Sequence, residues 1–223
     1  VSVAHSVVIE NPRLWSPEDP YLYEMDFHGE KIRYGIRDIH LSAMTGLLIN
    51  GKSVKLHGAC VHHDNGPLGA AAFDDAQRRK VKQLKAAGFN AVRTAHNPFP
   101  KAFLDACDEE GLFVIDEFCD GWRTAKTPHD YSNAFDADWE EDLIWLLRRD
   151  RNHPSVIMWS VGNEILERTT PEAAAQAEKM VTVCNDLDPS RPVTMALCSW
   201  NGREEWLAQD DLASKLDVVG YNY

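Results

Sequence analysis

The chain has 223 residues, of which 44% are apolar and 26% are charged, as in an ordinary globular protein. Its 23 Lys and Arg residues against 35 Asp and Glu residues give a formal net charge of −12. This balance argues against nucleic acid or an anionic membrane as a partner, because both attract basic patches. No apolar run approaches the roughly 20 residues that a membrane-spanning helix needs. The five cysteines form no CxxC pair, so we expect neither a disulfide scaffold nor a structural zinc site.

Residues 1–38 have the pattern of β-structure. Strand-like apolar segments at 4–10, 21–27 and 31–36 are separated by a loop at 11–20 that carries three prolines. So few strands do not form an independently stable sheet. We therefore predict that residues 1–38 are the end of a β-sandwich domain.

From residue 39 onward, strands and helices alternate. A hairpin is predicted to turn at Asn50–Gly51. Continuous apolar strands that alternate with helices predict a parallel sheet covered by helices, either doubly wound or an incomplete TIM barrel. The predicted strands are 54–61, 89–95, 112–116, 155–161, 192–198 and 216–220, and the predicted helices are 74–87, 100–110, 138–151, 171–187 and a short one at 203–209.

The positions of polar residues favour the barrel. Active sites of (β/α)8 barrels collect at the carboxyl ends of the strands. The sequence has no GxGxxG after its first strand and no GxxxxGK[ST], which weakens the nucleotide-binding alternative. We predict an α/β fold, with a TIM barrel of about six strands over residues 39–223. Polar residues at the predicted strand ends are His62, His96, Asp116, Glu117, Asn163 and Glu164.

Glu164 is the strongest catalytic candidate. It follows an apolar strand that ends in Gly162 and Asn163, and a carboxylic acid placed there is suited to general acid catalysis. Asn163 beside it is expected to donate to a substrate hydroxyl. The alternative is that both residues cap the next helix.

Arg93 and His96 follow the second predicted barrel strand. Arg93 lies in an otherwise apolar strand, so it needs a carboxylate or a substrate as its partner. Asp116, Glu117 or Glu164 could supply that carboxylate, and the alternative is a structural ion pair inside the barrel. Asp116 is also expected to contact the substrate. His96 is a candidate polar contact or ligand.

His62 and His63 follow the first predicted barrel strand. Neighbouring strand residues face opposite ways, so only one of them can face the centre, and a metal site is not favoured. We predict that His62 hydrogen-bonds a sugar or another substrate. His153, at the far end of the barrel, is predicted to be structural.

Trp122 and Trp200 follow the third and fifth predicted barrel strands. A tryptophan offers a large apolar face with a polar edge, which suits it to stacking against a sugar ring. We predict that both form walls of the substrate pocket.

Two long segments resemble glycoside hydrolase family 2, which contains β-galactosidases, β-glucuronidases and β-mannosidases. The first comprises 90–98 (Asn-Ala-Val-Arg-Thr-Ala-His-Asn-Pro) with 107–117, and the second is 150–164, which ends in Gly-Asn-Glu. Residues 34–37 are similar to the exit from the family's immunoglobulin-like domain. The stretch 60–64 is most similar to the β-galactosidase branch.

The resemblance implies a retaining mechanism, in which two carboxylates about 5 Å apart flank the glycosidic bond. It implies that Glu164 is the acid/base and that Asn163 contacts the sugar 2-hydroxyl. It also implies that Tyr223 hydrogen-bonds the nucleophile. Sugar-site positions of the family match His62, Arg93 and His96.

Two departures from the family pattern matter. Some members hold magnesium through an acid and a histidine after the third strand, where this chain has Gly121 and Arg123. We therefore expect no metal and no cofactor. The family's nucleophile follows a seventh strand, which we expect beyond Tyr223, so the chain alone is expected to be inactive. The two unpaired sheet edges lead us to expect a homo-oligomer or other contacts that cover them.

The leading prediction is a glycosidase for terminal β-linked sugars, most of all β-galactosides, in the bacterial cytoplasm or periplasm. Its partner is then a carbohydrate substrate. Two alternatives stay open: a metal-dependent hydrolase on the same barrel that uses His62 and His96, and a carbohydrate-binding protein without catalysis.

Overall fold

The computed structural model describes residues 7–223. Its main element is a six-stranded parallel sheet. Within this sheet the strands lie side by side in the order in which they occur along the chain. This order is the one that the wall of a TIM barrel requires, so the predicted incomplete barrel is confirmed. The strands are β6 (Gly58–Val61), β7 (Ala91–Thr94), β8 (Phe113–Glu117), β9 (Val156–Asn163), β10 (Val193–Leu197) and β11 (Val218–Tyr221).

Helices connect these strands, as predicted. Thr170 caps the longest helix by accepting a hydrogen bond from Ala173 N at 3.2 Å, so that helix begins where the sequence indicated. None of the helices formed by residues 7–223 is both long enough and apolar enough to cross a membrane. The helices are α1 (Asp74–Ala86), α2 (Lys101–Glu110), α3 (Phe135–Asp150), α4 (Pro171–Leu187), α5 (Arg203–Leu207) and α6 (Asp210–Ala213), with 3₁₀ turns at Gly66–Leu68 and Tyr131–Asn133.

Two small antiparallel sheets precede the barrel. The predicted turn at Asn50–Gly51 forms with positive φ at both residues, 52° and 75°, as a tight hairpin turn requires. Of the strand predicted at 4–10, residues 4–6 lie outside the described residues, and the remainder is not a strand. The first sheet pairs β1 (Tyr23–Phe27) with β2 (Glu30–Tyr34), and the second contains β3 (Ile39–Ser42), β4 (Gly46–Ile49) and β5 (Lys52–Ser53).

Apolar side chains form two cores, one on each face of the parallel sheet. The larger core lies between sheet and helices and includes Val114 and Trp159. The smaller core lies where the barrel strands begin, and in it Phe113 packs with Trp15 and Ile49. Because both faces are covered, the strands are mostly apolar and carry their polar residues near their carboxyl ends.

Trp15 joins the N-terminal segment to the barrel. It is fully buried, its ring meets Phe113 edge to face at 5.8 Å, and its Nε1 donates to Asp108 O at 2.9 Å. Its backbone N donates to Ile36 O at 2.7 Å, and its carbonyl accepts from Asn50 Nδ2 at 3.0 Å. The Trp15 ring and backbone together therefore contact four other parts of the chain.

The structure corrects the prediction that Trp122 forms a wall of the substrate pocket. Trp122 is fully buried, stacks on Phe135 at 6.0 Å and donates from Nε1 to Val161 O at 3.0 Å. Its ring fills the core beneath the helices, because the chain after β8 turns back over the outer face of the sheet. It is a packing residue.

The structure also corrects the placement of Asp116, which was predicted to contact substrate. Asp116 is fully buried and faces the helical layer, where its Oδ1 accepts from Thr94 Oγ1 at 3.1 Å. Burial, and then the neighbouring Asp150 carboxyl, raise the pKa of Asp116 well above its usual range. Arg149 donates to both Asp150 oxygens from the other side, at 2.5–2.6 Å. Asp116 is therefore the protonated member of a buried carboxyl pair.

Replacing Trp15 by Ala is expected to destabilise the fold by about 3–5 kcal/mol, because a large buried side chain leaves a cavity. Urea unfolding checks this. The matched control is Trp15→Phe, which keeps a ring and loses the hydrogen bond to Asp108 O, at a cost of about 1 kcal/mol. Equal stability of Trp15→Ala and the unchanged chain would show that the Trp15 side chain is not needed to join the N-terminal segment to the barrel.

Asp116→Asn is expected to stabilise the fold increasingly as the pH rises. The native state holds a proton on Asp116 that the unfolded state releases above a pKa of about 3.9. Stability is therefore lost between that pH and the raised folded-state pKa, at roughly 1 kcal/mol per pH unit. Unfolding free energies at pH 4, 6 and 8 for both forms check the sign, and parallel pH dependences would contradict it.

Candidate active site

Glu164 lies immediately after β9, at the carboxyl end of the barrel. The helix that follows begins at Pro171 with Thr170 as its cap, so Glu164 is not a capping residue, which removes that alternative. Its φ is +44°, a left-handed conformation that costs a non-glycine residue about 1–3 kcal/mol. Its backbone N donates to Ala196 O at 2.8 Å. Strained, half-buried residues of this kind cluster at functional sites.

A buried ion pair lies beside Glu164 and answers which carboxylate Arg93 needs. Arg93 donates from Nε to Glu117 Oε2 at 2.8 Å and from Nη2 to Oε1 at 3.1 Å. Burial lowers the pKa of Arg93, but the Glu117 carboxylate outweighs burial and raises it overall. The same Nη2 donates to Asn163 Oδ1 at 2.6 Å, and Ser160 Oγ donates to Glu117 Oε2 at 2.6 Å. Arg93 therefore links three neighbouring strands.

His96 and His62 meet at the rim of this network. His96 Nδ1 lies 2.7 Å from Glu117 Oε1, and since a carboxylate only accepts, Nδ1 carries the hydrogen. Arg93 Nη2, 3.4 Å from the same nitrogen, is then a contact between two donors and not a hydrogen bond. The His62 and His96 rings meet edge to face at 5.2 Å, whereas His63 packs against Phe99 at 4.1 Å. The two adjacent histidines face opposite ways, as predicted.

Asn163 links the ion pair to a second pair of charges. Its Nδ2 donates to Asp120 Oδ1 at 2.8 Å, and Lys126 Nζ donates to the same oxygen at 2.8 Å. Burial opposes ionisation of Asp120, but these hydrogen bonds outweigh it, and the pKa of Asp120 lies below its usual value. Lys126 Nζ also reaches Asn163 O at 2.7 Å.

The Glu164 carboxylate is held by residues that follow β11. Asn222 Nδ2 donates to Glu164 Oε1 at 2.6 Å and to Asn163 Oδ1 at 3.2 Å. Tyr223 is almost fully exposed, and a hydrogen bond to Glu164 raises the pKa of its phenol. The structure therefore places Tyr223 against Glu164 itself.

Trp200 is an exposed aromatic ring on a fixed loop. Its ring lies over the Arg168 guanidinium at 4.5 Å, and Arg168 donates to Ile165 O at 3.0 Å, next to Glu164. Glu205 pairs with Arg168 and accepts from Trp200 N at 2.8 Å. Arg168 supports one face of the ring, and Glu205 holds the backbone of Trp200. A ring fixed in this way can serve as a stacking surface.

The structure brings together seven of the nine predicted site residues: His62, Arg93, His96, Asn163 and Glu164 with Tyr223, and Trp200 at their edge. Asp116 and Trp122 face the core instead. Five residues of the network were not predicted as substrate contacts: Ser160, Glu117, Asp120, Lys126 and Asn222. Glu117 had a usable signal, since it was one of three possible partners for Arg93. Ser160 lies on β9, where an apolar run gave no signal for it, and Asp120, Lys126 and Asn222 lie in loops whose path the sequence does not indicate.

A possible metal-ligand group lies at the opposite end of the barrel. Within residues 7–223 one cluster, Asp105, Asp108 and His153, has ligand atoms close enough for an ion. Both Asp108 oxygens are already used, by His153 Nδ1 at 2.6 Å and Ser155 N at 3.0 Å, so the cluster serves as a structural clamp. His62 and His96 belong to no such cluster in the described part of the chain.

Comparison with known proteins places the chain in a family. Residues 41–210 match the model "Glycosyl hydrolases family 2, TIM barrel domain", and residues 1–31 match the model "Glycosyl hydrolases family 2". A family 2 member from Bacteroides cellulosilyticus has a solved structure that superposes with a TM-score of 0.87 at 48% identity, over 95% of this chain and 28% of that one.

Curated relatives carry two activity names. A β-galactosidase, BoGH2A, from Bacteroides ovatus is 36% identical over 100% of this chain and 30% of its own length. A putative β-glucuronidase from Formosa agariphila is 41% identical over 83% of this chain and 18% of its own length. The chain thus spans under a third of these relatives. Since the barrel model matches well over half of the sequence, the chain belongs to the glycosyl hydrolases of family 2.

Proposed function

We propose that the natural protein carrying this chain is a retaining glycosidase that removes terminal β-linked sugars, most of all β-galactosides, with Glu164 as its acid/base. The observation that carries the proposal is the placement of Glu164. Its carboxylate lies at the carboxyl end of the barrel, where it accepts from Asn222 Nδ2, beside the Asn163 side-chain amide, whose oxygen is held by Arg93.

The chemistry assigns Glu164 two proton transfers. In the first step the protonated carboxyl gives its proton to the glycosidic oxygen as the bond to the anomeric carbon breaks, and a second carboxylate bonds to that carbon. In the second step Glu164, now ionised, takes a proton from water, and the water oxygen displaces the carboxylate with net retention. The glycoside and one water molecule are thus converted into the free alcohol and the free sugar, and both carboxyl groups return to their starting states.

Glu117 is not suited to be the second carboxylate. It is fully buried, and its two oxygens already accept from Arg93, His96 and Ser160. An attacking carboxylate needs a free oxygen facing the anomeric carbon. The nucleophile of this proposal is a different residue of the natural protein, and inactivity of the 223-residue chain on its own stays a prediction.

Positioning of the sugar follows from atoms that the network leaves free. Asn163 Nδ2 uses one hydrogen on Asp120 and keeps its second for a sugar hydroxyl. His96 Nδ1 donates to Glu117, so Nε2 is the ring nitrogen left to contact another hydroxyl. The exposed face of Trp200 supplies apolar area for a pyranose ring or for the leaving group.

Charge pairing supports a neutral sugar. The three cationic side chains around Asn163 and Glu164 each pair with a carboxylate of the chain: Arg93 with Glu117, Lys126 with Asp120, and Arg168 with Glu205. The carboxylate of a uronate would therefore have no unpaired cation among these three to bind. The net charge of −12 also favours an uncharged ligand.

Glu164→Gln in the natural protein is expected to lower kcat/KM for a phenyl β-galactoside roughly 100- to 10,000-fold, the usual contribution of a general acid. A dinitrophenyl β-galactoside, whose leaving group needs little protonation, should lose far less in its first step. Azide, which attacks without a general base, should restore turnover and give a β-glycosyl azide. Glu167→Gln is the control. Equal activity of Glu164→Gln and the wild type would refute the assignment.

The sugar preference is expected to follow charge. Nitrophenyl β-galactoside should be hydrolysed about 100-fold or more faster, as kcat/KM, than the β-glucuronide, since a carboxylate without a partner costs about 3 kcal/mol when desolvated. The neutral β-glucoside, an epimer of the galactoside, separates the effect of charge from that of shape. Faster cleavage of the glucuronide would favour the activity for which the Formosa relative is named.

A further inference from the structure

The ammonium of Lys126 lies in a cradle of three oxygens. Nζ donates to Asp120 Oδ1 at 2.8 Å, to Asp120 O at 2.9 Å and to Asn163 O at 2.7 Å. An ammonium has three donors, so all of its hydrogens are used. One carboxylate and two carbonyl oxygens around a single positive charge are also the ligands that hard cations prefer.

One of these oxygens belongs to the peptide bond that leads into Glu164. The carbonyl of that peptide is Asn163 O, held by Lys126, and its N–H is that of Glu164, held by Ala196 O at 2.8 Å. With both polar groups bound, the plane of the peptide is fixed. The Glu164 side chain leaves the backbone one bond beyond this fixed plane, with a left-handed φ of +44° about the N–Cα bond.

The contact between Lys126 and Asp120 does more than form a surface ion pair. An exposed pair contributes little to stability, but the Lys126 side chain is only 20% exposed, and Asp120 is bound a second time by Asn163 Nδ2 at 2.8 Å. The three residues therefore form a closed ring of hydrogen bonds. This ring ties the loop after β8 to the end of β9.

We propose that Lys126 is a positioning residue for Glu164, a tethered cation that holds the Asn163–Glu164 peptide in its catalytic orientation. The inference rests on the proposed function of Glu164 as acid/base. Without the ammonium, the peptide loses a fixed partner, and the carboxyl spends less time aligned with the leaving oxygen. The empty cradle in Lys126→Ala then has the shape and ligands to bind a small ammonium ion.

Kinetics of Lys126→Ala in the natural protein test the positioning role. The kcat/KM for a phenyl β-galactoside should fall about 10- to 100-fold, part of the contribution of a general acid. The value for the dinitrophenyl β-galactoside should stay within about 3-fold, because that leaving group needs little proton donation. Methylammonium chloride should restore hydrolysis of the phenyl substrate, whereas tetramethylammonium chloride at the same ionic strength should not.

Lys101→Ala is the matched control, because Lys101 Nζ pairs with Asp105 at 2.7 Å, outside the hydrogen-bond network around Glu164. This variant should have the wild-type kcat/KM for both substrates. Methylammonium should not change either value. The melting temperature gives a second readout: it should rise with methylammonium for Lys126→Ala only. If Lys126→Ala fails to fold, Lys126→Met keeps the aliphatic stem and gives the same comparison of leaving groups.

The outcomes separate the two claims. Wild-type protein that cleaves neither substrate would overturn the proposed function and the positioning role with it. If the wild type is active and Lys126→Ala lowers kcat/KM equally for both substrates, or for neither, only the role of Lys126 is overturned. A melting temperature of Lys126→Ala that ignores methylammonium would overturn the tethered cation.

Discussion

A negative charge buried at the floor of the barrel organises the site. The Glu117 carboxylate is fully buried, and an uncompensated charge in such a place costs several kcal/mol. Arg93 compensates it with two hydrogen bonds, and His96 and Ser160 complete its shell. Because these partners lie on or directly after β7 and β9, the strands on both sides of Glu117 are fixed relative to it. The need to compensate the Glu117 charge therefore also orients the polar side chains that contact Arg93 and His96.

Charge pairing extends outward from that centre through Asn163. Its side-chain oxygen, Oδ1, accepts from the Arg93 guanidinium, and its side-chain nitrogen, Nδ2, donates to the Asp120 carboxylate. Only one orientation of the side-chain amide satisfies both neighbours. The turn into Glu164 is thereby defined before any ligand binds. Preorganisation of this kind lowers the reorganisation needed during reaction. It also explains why a strained backbone at Glu164 can persist.

The fold could be predicted from sequence because its signals are local. Apolar runs bounded by Gly and Pro locate the strands, and a Thr-Pro pair marks the start of α4. The outer strand faces were harder to predict, because strands covered on both sides show no alternation of polar and apolar residues. Asp116 and Glu117 are neighbours, and only the pairing of Arg93 with Ile115 shows that Glu117 shares the face of Arg93. Trp122 and Lys126 lie in a loop whose path no periodicity describes.

The central claim is that the Glu164 carboxyl protonates the glycosidic oxygen of a terminal β-galactoside. A crystal structure of the natural protein carrying Glu164→Gln, soaked with an intact β-galactoside, tests it most directly. The account predicts the glycosidic oxygen within about 3.2 Å of the residue 164 side-chain amide, with the 2-hydroxyl at Asn163. A sugar bound with its glycosidic oxygen against any other carboxyl group, and residue 164 out of contact, would contradict it.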